Sequence, residues 1–171
     1  MPKADEPVLG TPFDLAPPQE SEEPPVADRI RRLVEGERYG VLCTQGGGQP
    51  YGSMVAFACT VDLCTLVFAT PIATRKFRLL SECDRVALLI DNRARVPYEL
   101  TRIEAVTVTG HAVRPEARGE HERWAALLIG RHPHLRTFVE APTSALFRVD
   151  VIRYLHVSRF QEVRQWIPTP S

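Results

Sequence analysis

Apolar residues follow two different rhythms along this chain. After residue 26, Ile30, Leu33 and Val34 recur at helical spacing between arginines, and Gly36 stands where a helix stops. From residue 39 the rhythm becomes that of strands, with apolar and β-branched runs at 39–44, 51–60, 66–70, 86–90, 105–113 and 145–157. Gln45-Gly46-Gly47-Gly48-Gln49 and the neighbourhood of Asp62 supply turns that make the first three runs an antiparallel meander. Thr74 can cap a helix from Arg75 to about Cys83, with Phe77, Leu79 and Leu80 on its apolar side. A further helix from Glu116 to about Ile129, and a short piece from Leu135 to Glu140, precede the last run. Six strands and a few helices predict a mainly β (α+β) fold, a small six-stranded antiparallel β-barrel with helices packed outside it.

Composition divides the chain in two. The first 25 residues hold seven prolines, and residues 1–27 hold six acids against Lys3 alone, so residues 1–25 read as a proline-rich acidic tail or arm. Residues 26–171 form the expected domain, about the length that builds one core. Without residues 1–27, the chain carries 20 basic and 15 acidic residues, a balance that suits an anionic small molecule and is too weak to argue for nucleic acid. No apolar run approaches the roughly 18 residues of a membrane span, and MPKADEPVLG lacks the order of a secretory leader, so neither a membrane nor a nucleic acid is expected as partner and the expected location is cytoplasmic. Cys43, Cys59, Cys64 and Cys83 form no C-x-x-C pair and lie in or beside apolar stretches, which predicts buried reduced thiols.

Two stretches carry candidate chemistry. Read as a strand, YGSMVAFAC puts Tyr51, Ser53, Val55, Phe57 and Cys59 on one face and Gly52, Met54, Ala56 and Ala58 on the other, both apolar enough to be covered. The second face is mostly small, which either packs tightly in a barrel or admits a flat ligand. The other stretch is ATPIATRKFRLL. Of the 21 basic residues only two are lysines, and the single lysine outside the tail, Lys76, follows Arg75 at a helix start. A helix N-terminus attracts anions, and two cations there oppose its dipole. Two readings are open, a solvated basic turn and a seat for a phosphate.

The order strand, turn, strand, T-x-x-x-T-R-K, then FRLLSECDRVALLI resembles the pyridoxamine 5'-phosphate oxidase-like FMN-binding split β-barrel family. AVTVTGHA resembles that family's next barrel strand and RYLHVSRF its last, so the likeness runs from about Ile30 to Trp166. It implies an FMN-binding flavoprotein, a probable oxidoreductase acting on an unknown small molecule. By the resemblance, Arg75 and Lys76 bind the FMN phosphate, Ser53, Met54 and Val55 lie along the flavin ring, and Ala69 and Thr70 border the cofactor. It also implies a homodimer with cofactor at the interface, in which the partner's final segment, Arg159, Phe160 and Trp166 by position, covers the flavin. Asn92 is a further candidate for a ring contact.

The departures bear on the reaction. Oxidases proper of this family carry arginine where this chain has Ser53 and lysine where it has Ala58, and they end on an arginine-histidine pair that VSRFQEVRQW lacks. The resemblance therefore implies a broader FMN-dependent member, with an F420-dependent reductase or a non-enzymatic flavin- or haem-binding protein as alternatives. His132-Pro133-His134 lacks an acid or cysteine at metal-ligand spacing, so no metal site is expected, and no residue is singled out as a catalytic acid or base.

Overall fold

The computed structural model describes residues 24–159 and 162–170, so nearly all of the proline-rich arm lies outside the described residues. In chain order the elements are α1 (Val26–Gly36), β1 (Tyr39–Gly46), β2 (Gln49–Cys59), β3 (Thr65–Pro71), α2 (Arg75–Glu82), β4 (Arg85–Asp91), β5 (Ala105–Val113), α3 (Arg118–Arg131), α4 (Arg136–Val139), β6 (Ser144–Ser158) and β7 (Glu162–Trp166). The sheet runs β3-β2-β1-β4-β5-β6-β7, and β3 also pairs with β6, which closes the first six strands into an antiparallel barrel. This is the expected fold. The added strand is β7, a short partner on the outer edge of β6. Its sequence, EVRQW, has no apolar run to announce it.

Alternation builds the barrel core. Along β5 every second residue is buried, which turns Val106, Val108 and Ala112 inward to meet Leu42, Phe57, Phe68, Leu88, Ile90 and Tyr154. Phe68 and Phe147 stack with ring centroids 5.5 Å apart, and Phe77 of α2 meets Phe147 edge-on at 6.1 Å. Where consecutive residues are buried, as at Leu66–Phe68 and Ala145–Phe147, the outer face is covered as well. Ala58, Val67 and Leu146 sit beneath Trp124, Leu128 and Ile129 of α3 and Val139 of α4, in a second apolar cluster. Helix α1 adds Ile30, Leu33 and Val34 to the barrel core. It lies against the end where β4 stops and β5 begins, with Arg29 paired to Glu104 at 3.2 Å. Helix α2 packs on the other end, so closely that a Cβ on Gly46 of β1 would lie 2.3 Å from Leu79.

Two expectations need correction. Cys43 is exposed on the outward side of β1, and Cys59, Cys64 and Cys83, at a strand end, a turn and a helix end, are only half-buried; all four are free. The outer face of β2 is covered only in part, since Gly52 and Met54 are exposed and the cluster beneath α3 takes in only Ala58 of this face.

Two fully buried histidines give the fold a pH dependence. The His132 ring bonds the Phe57 carbonyl through Nε2 at 2.9 Å, and the His156 ring bonds Glu104 through Nε2 at 2.8 Å, while both Nδ1 atoms are shielded and unpartnered. Protonating Nδ1 would bury a donor with nothing to accept from it. Burial pulls both rings below the ordinary histidine value, and for His156 it outweighs the raising effect of the Glu104 carboxylate. Below about pH 6.5 the unfolded chain therefore takes up protons that the folded chain refuses, and stability falls as pH falls. The urea midpoint is expected to be lower at pH 5.5 than at pH 7.5, with a smaller difference in His156→Gln. An equal or higher midpoint at pH 5.5 would refute the account.

Candidate functional site

The barrel is not zipped along its whole length. Strand β2 pairs with β3 only at Phe57, Ala58 and Cys59, while β3 continues through Ala69, Thr70 and Pro71 along β6. The first half of β2 is therefore bonded to β1 on one side and open on the other. In an antiparallel strand the N–H and C=O of one residue point the same way and alternate along the chain. Phe57 N donates toward the β1 side, to the Arg38 carbonyl, which assigns the odd-numbered residues to β1. The backbone groups of Gly52, Met54 and Ala56 consequently face the split.

Helix α2 begins at that split. Thr74 caps it by accepting from Phe77 N at 3.2 Å, and its hydroxyl also bonds the Thr70 hydroxyl at 3.1 Å and the Pro71 carbonyl at 2.8 Å. This network ties the helix start to the end of β3. Lys76 then reaches across the split and donates from Nζ to the Met54 carbonyl at 3.2 Å. Arg75 lies over the ring of Tyr51, 5.1 Å from its centroid. Neither cation has a carboxylate partner among the described residues, and the first turn of α2 holds no acid. Burial pulls the Lys76 ammonium below the ordinary lysine value. Two cations opposing a helix dipole cost about 0.3–1 kcal/mol each, and an anion bound at the N-terminus reverses that sign. On the same face of β2 as Tyr51 and Val55, the Ser53 hydroxyl is shielded from solvent and has no partner. An open strand edge and two cations without an acid partner among the described residues thus meet at the start of α2.

The predicted site residues divide between the two ends of the barrel. Met54, Thr70, Arg75 and Lys76 come together at the split, whereas Ser53 turns its backbone to Leu42 of β1. Val55 does not join them, because its side chain is 4% exposed within the core and its backbone faces Gly40 of β1. Ala69 turns outward toward the cluster beneath α3. Asn92 lies at the far end, where its Oδ1 accepts from Glu104 N at 2.9 Å, and Arg159 follows β6 beside it, in the left-handed region at φ 46°. Trp166 of β7 packs on Tyr154, with centroids 5.4 Å apart. Phe160 lies outside the described residues. Tyr51 is a site residue that the sequence did not single out, since only the packing shows Arg75 above its ring.

None of the histidines joins the split. His132 and His156 are engaged as described, and His111 bonds Asp84 at 2.9 Å. His121 and His134 are exposed on α3 and just beyond it.

The barrel, open between the first half of β2 and β3 and with Arg75 and Lys76 at that opening, is a split β-barrel. The sequence profile described as Pyridoxamine 5'-phosphate oxidase matches residues 26–158. The chain belongs to that family. No curated protein matches the chain. Among solved structures it is similar to a haem-binding protein from Mycobacterium smegmatis, with TM-score 0.75 and 18% identity over 85% of this chain, which spans 59% of that longer protein. It is also similar to a protein from Clostridium acetobutylicum related to general stress protein 26, of the pyridoxinephosphate oxidase family, with TM-score 0.65 and 13% identity over 82% of this chain and 92% of the other. A third, an FAD-binding protein from Mesorhizobium loti, has TM-score 0.60 and 18% identity over 77% of this chain and 92% of the other. At these identities the likenesses establish the fold. No helix among the described residues is long and apolar enough to cross a membrane.

Proposed function

We propose that this chain is a cytoplasmic flavoprotein oxidoreductase that holds FMN between two copies of itself. The observation that carries the reading is the meeting of Arg75 and Lys76, without acids, at an open strand edge whose Met54 carbonyl already takes the Lys76 ammonium. FMN fits this donor set. Its phosphate matches the free N–H groups of α2, the Arg75 guanidinium and the Lys76 ammonium, and the polar rim of its ring matches the outward backbone groups of Gly52 and Met54 and the orphaned Ser53 hydroxyl. When bound, FMN supplies hydride transfer to or from a small organic substrate.

The protein's part is to bind, orient and exclude water. Thr70 and Thr74 fix the helix start through their shared hydroxyl bond, so the cations are set before a ligand arrives. Met54, 72% exposed, and Ile72, 44% exposed, leave apolar surface at the split that a second copy would cover. The second copy's C-terminal segment, with Arg159 and Trp166, would complete the pocket over the ring. The substrate is a molecule other than a vitamin B6 phosphate. Ser53 and Ala58 stand where the oxidases proper carry arginine and lysine, and VSRFQEVRQW lacks the arginine-histidine pair that holds such a phosphate. Four free thiols suit a reducing compartment.

The test is a visible spectrum of the freshly purified protein, with mass analysis of the molecule released on denaturation. A flavin spectrum and the mass of FMN are expected, together with repeated cycles of reduction by a nicotinamide nucleotide and reoxidation by oxygen. Release of F420 or haem would replace FMN in this reading, and a colourless protein that takes up no FMN would overturn it.

A further inference from the structure

The three residues that open α2 are held in different ways. The Thr74 hydroxyl is tied to that of Thr70 at 3.1 Å, and Lys76 donates to the Met54 carbonyl at 3.2 Å. Arg75 is exposed and faces no carboxylate among the described residues; what meets its guanidinium is the ring of Tyr51, 5.1 Å from guanidinium carbon to ring centroid. The ring is the fixed member of this pair. Tyr51 is half-buried, pairs with Thr44 in the ladder of β1 and β2, and accepts at its carbonyl from the Thr44 hydroxyl at 3.3 Å, while Thr44 itself is 3% exposed.

An aromatic platform does for this arginine what an acid could not. A carboxylate would orient the guanidinium, but it would also neutralise it and occupy the donors that an incoming anion needs. A phenol ring attracts the guanidinium through its quadrupole and carries no net charge, so the cation keeps its full charge for a ligand. Ordering a long side chain beforehand also lowers the entropy that binding must give up. Tyr51 serves one end of the ligand only. Its side chain lies on the face of β2 shared with Val55, whereas the backbone groups of Gly52 and Met54, which suit a flavin ring, face the split.

We propose that Tyr51 is a positioning residue whose ring holds the Arg75 guanidinium ready for a phosphate monoester, and that it thereby makes the site select a phosphorylated flavin over the phosphate-free one. The inference rests on the flavin reading above and adds the source of its selectivity. Tyr51 makes no contact with the flavin ring and takes no part in hydride transfer.

Fluorescence titration of the flavin-free full chain with FMN and with riboflavin decides it. The unaltered chain should bind FMN more tightly than riboflavin. Tyr51→Leu should weaken FMN binding about two- to fivefold, the range of an exposed cation–π contact, and leave riboflavin binding unchanged. Tyr51→Phe keeps the ring and should match the unaltered chain, and in an Arg75→Ala background Tyr51→Leu should have no further effect on FMN. Urea midpoints check the fold of each variant, and Tyr51→Met replaces Tyr51→Leu should the latter not fold. Equal weakening of both flavins, a Tyr51→Phe that behaves as Tyr51→Leu does, a full loss in the Arg75→Ala background, or unchanged FMN binding would each overturn the positioning role and leave the flavin reading in place. A chain that binds neither flavin, or binds the two equally, would overturn the phosphate seat at α2 and the positioning role with it.

Discussion

Replacing Arg75 and Lys76 together by alanine is expected to abolish FMN retention and leave the chain as stable as before, or slightly more so. The two effects have opposite signs for one reason. With a phosphate bound, each cation makes a charge-assisted contact worth about 1.5–3 kcal/mol, so losing both weakens retention roughly a hundredfold to ten-thousandfold. Without the phosphate the same cations oppose the dipole of α2, and removing them relieves about 0.3–1 kcal/mol each. Lys76 gives up its bond to the exposed Met54 carbonyl in the variant, a group that water can satisfy. The measurements are the flavin absorbance per chain after dialysis and the urea midpoint of the flavin-free protein. A variant that keeps its flavin would remove the cradle from α2. One that loses flavin because it no longer folds would show that the pair is structural.

Phe147→Ala is expected to be the most damaging of the substitutions considered. Its ring is 3% exposed, stacks on Phe68 and meets Phe77 edge-on, so a single side chain joins β6, β3 and the helix that carries the cations. Emptying such a site costs about 3–5 kcal/mol, a large share of a marginal stability. Two strands and α2 all border the void, and the paired strands limit how far it can collapse. Flavin retention should fall as well, because α2 loses one of its contacts to the barrel. Urea unfolding with flavin absorbance separates this variant from the Arg75/Lys76 pair, which loses flavin alone. A stability loss below about 1 kcal/mol would mean that the aromatic cluster does not secure α2.

Much of this was legible locally. Alternation of apolar and polar residues placed six strands, since a half-buried strand must repeat every two residues, and Thr74 marked the start of α2, since a hydroxyl there satisfies an otherwise unpaired N–H. The oddity of Arg75 and Lys76 was also visible, because dipole opposition follows from position along a helix alone. Strand β7 was not legible, as its five residues have no apolar run and gain their pairing from β6. Nor was the exposure of Cys43, which depends on how far the outer helices extend over the sheet.

The sequence by itself determined the strands, the capped helix and the cation pair at its start. Tertiary structure alone decided that β2 and β3 part after three paired residues, that Met54 rather than Val55 turns its backbone to the opening, and that Asn92 and Arg159 lie with Arg29 and Ser158 at the far end. The physical reason is range. Periodicity and capping are interactions between residues a few positions apart, whereas the split, the register and that grouping at the far end arise from pairings between segments far apart in the chain. There one partner's position is fixed only when the whole barrel has closed.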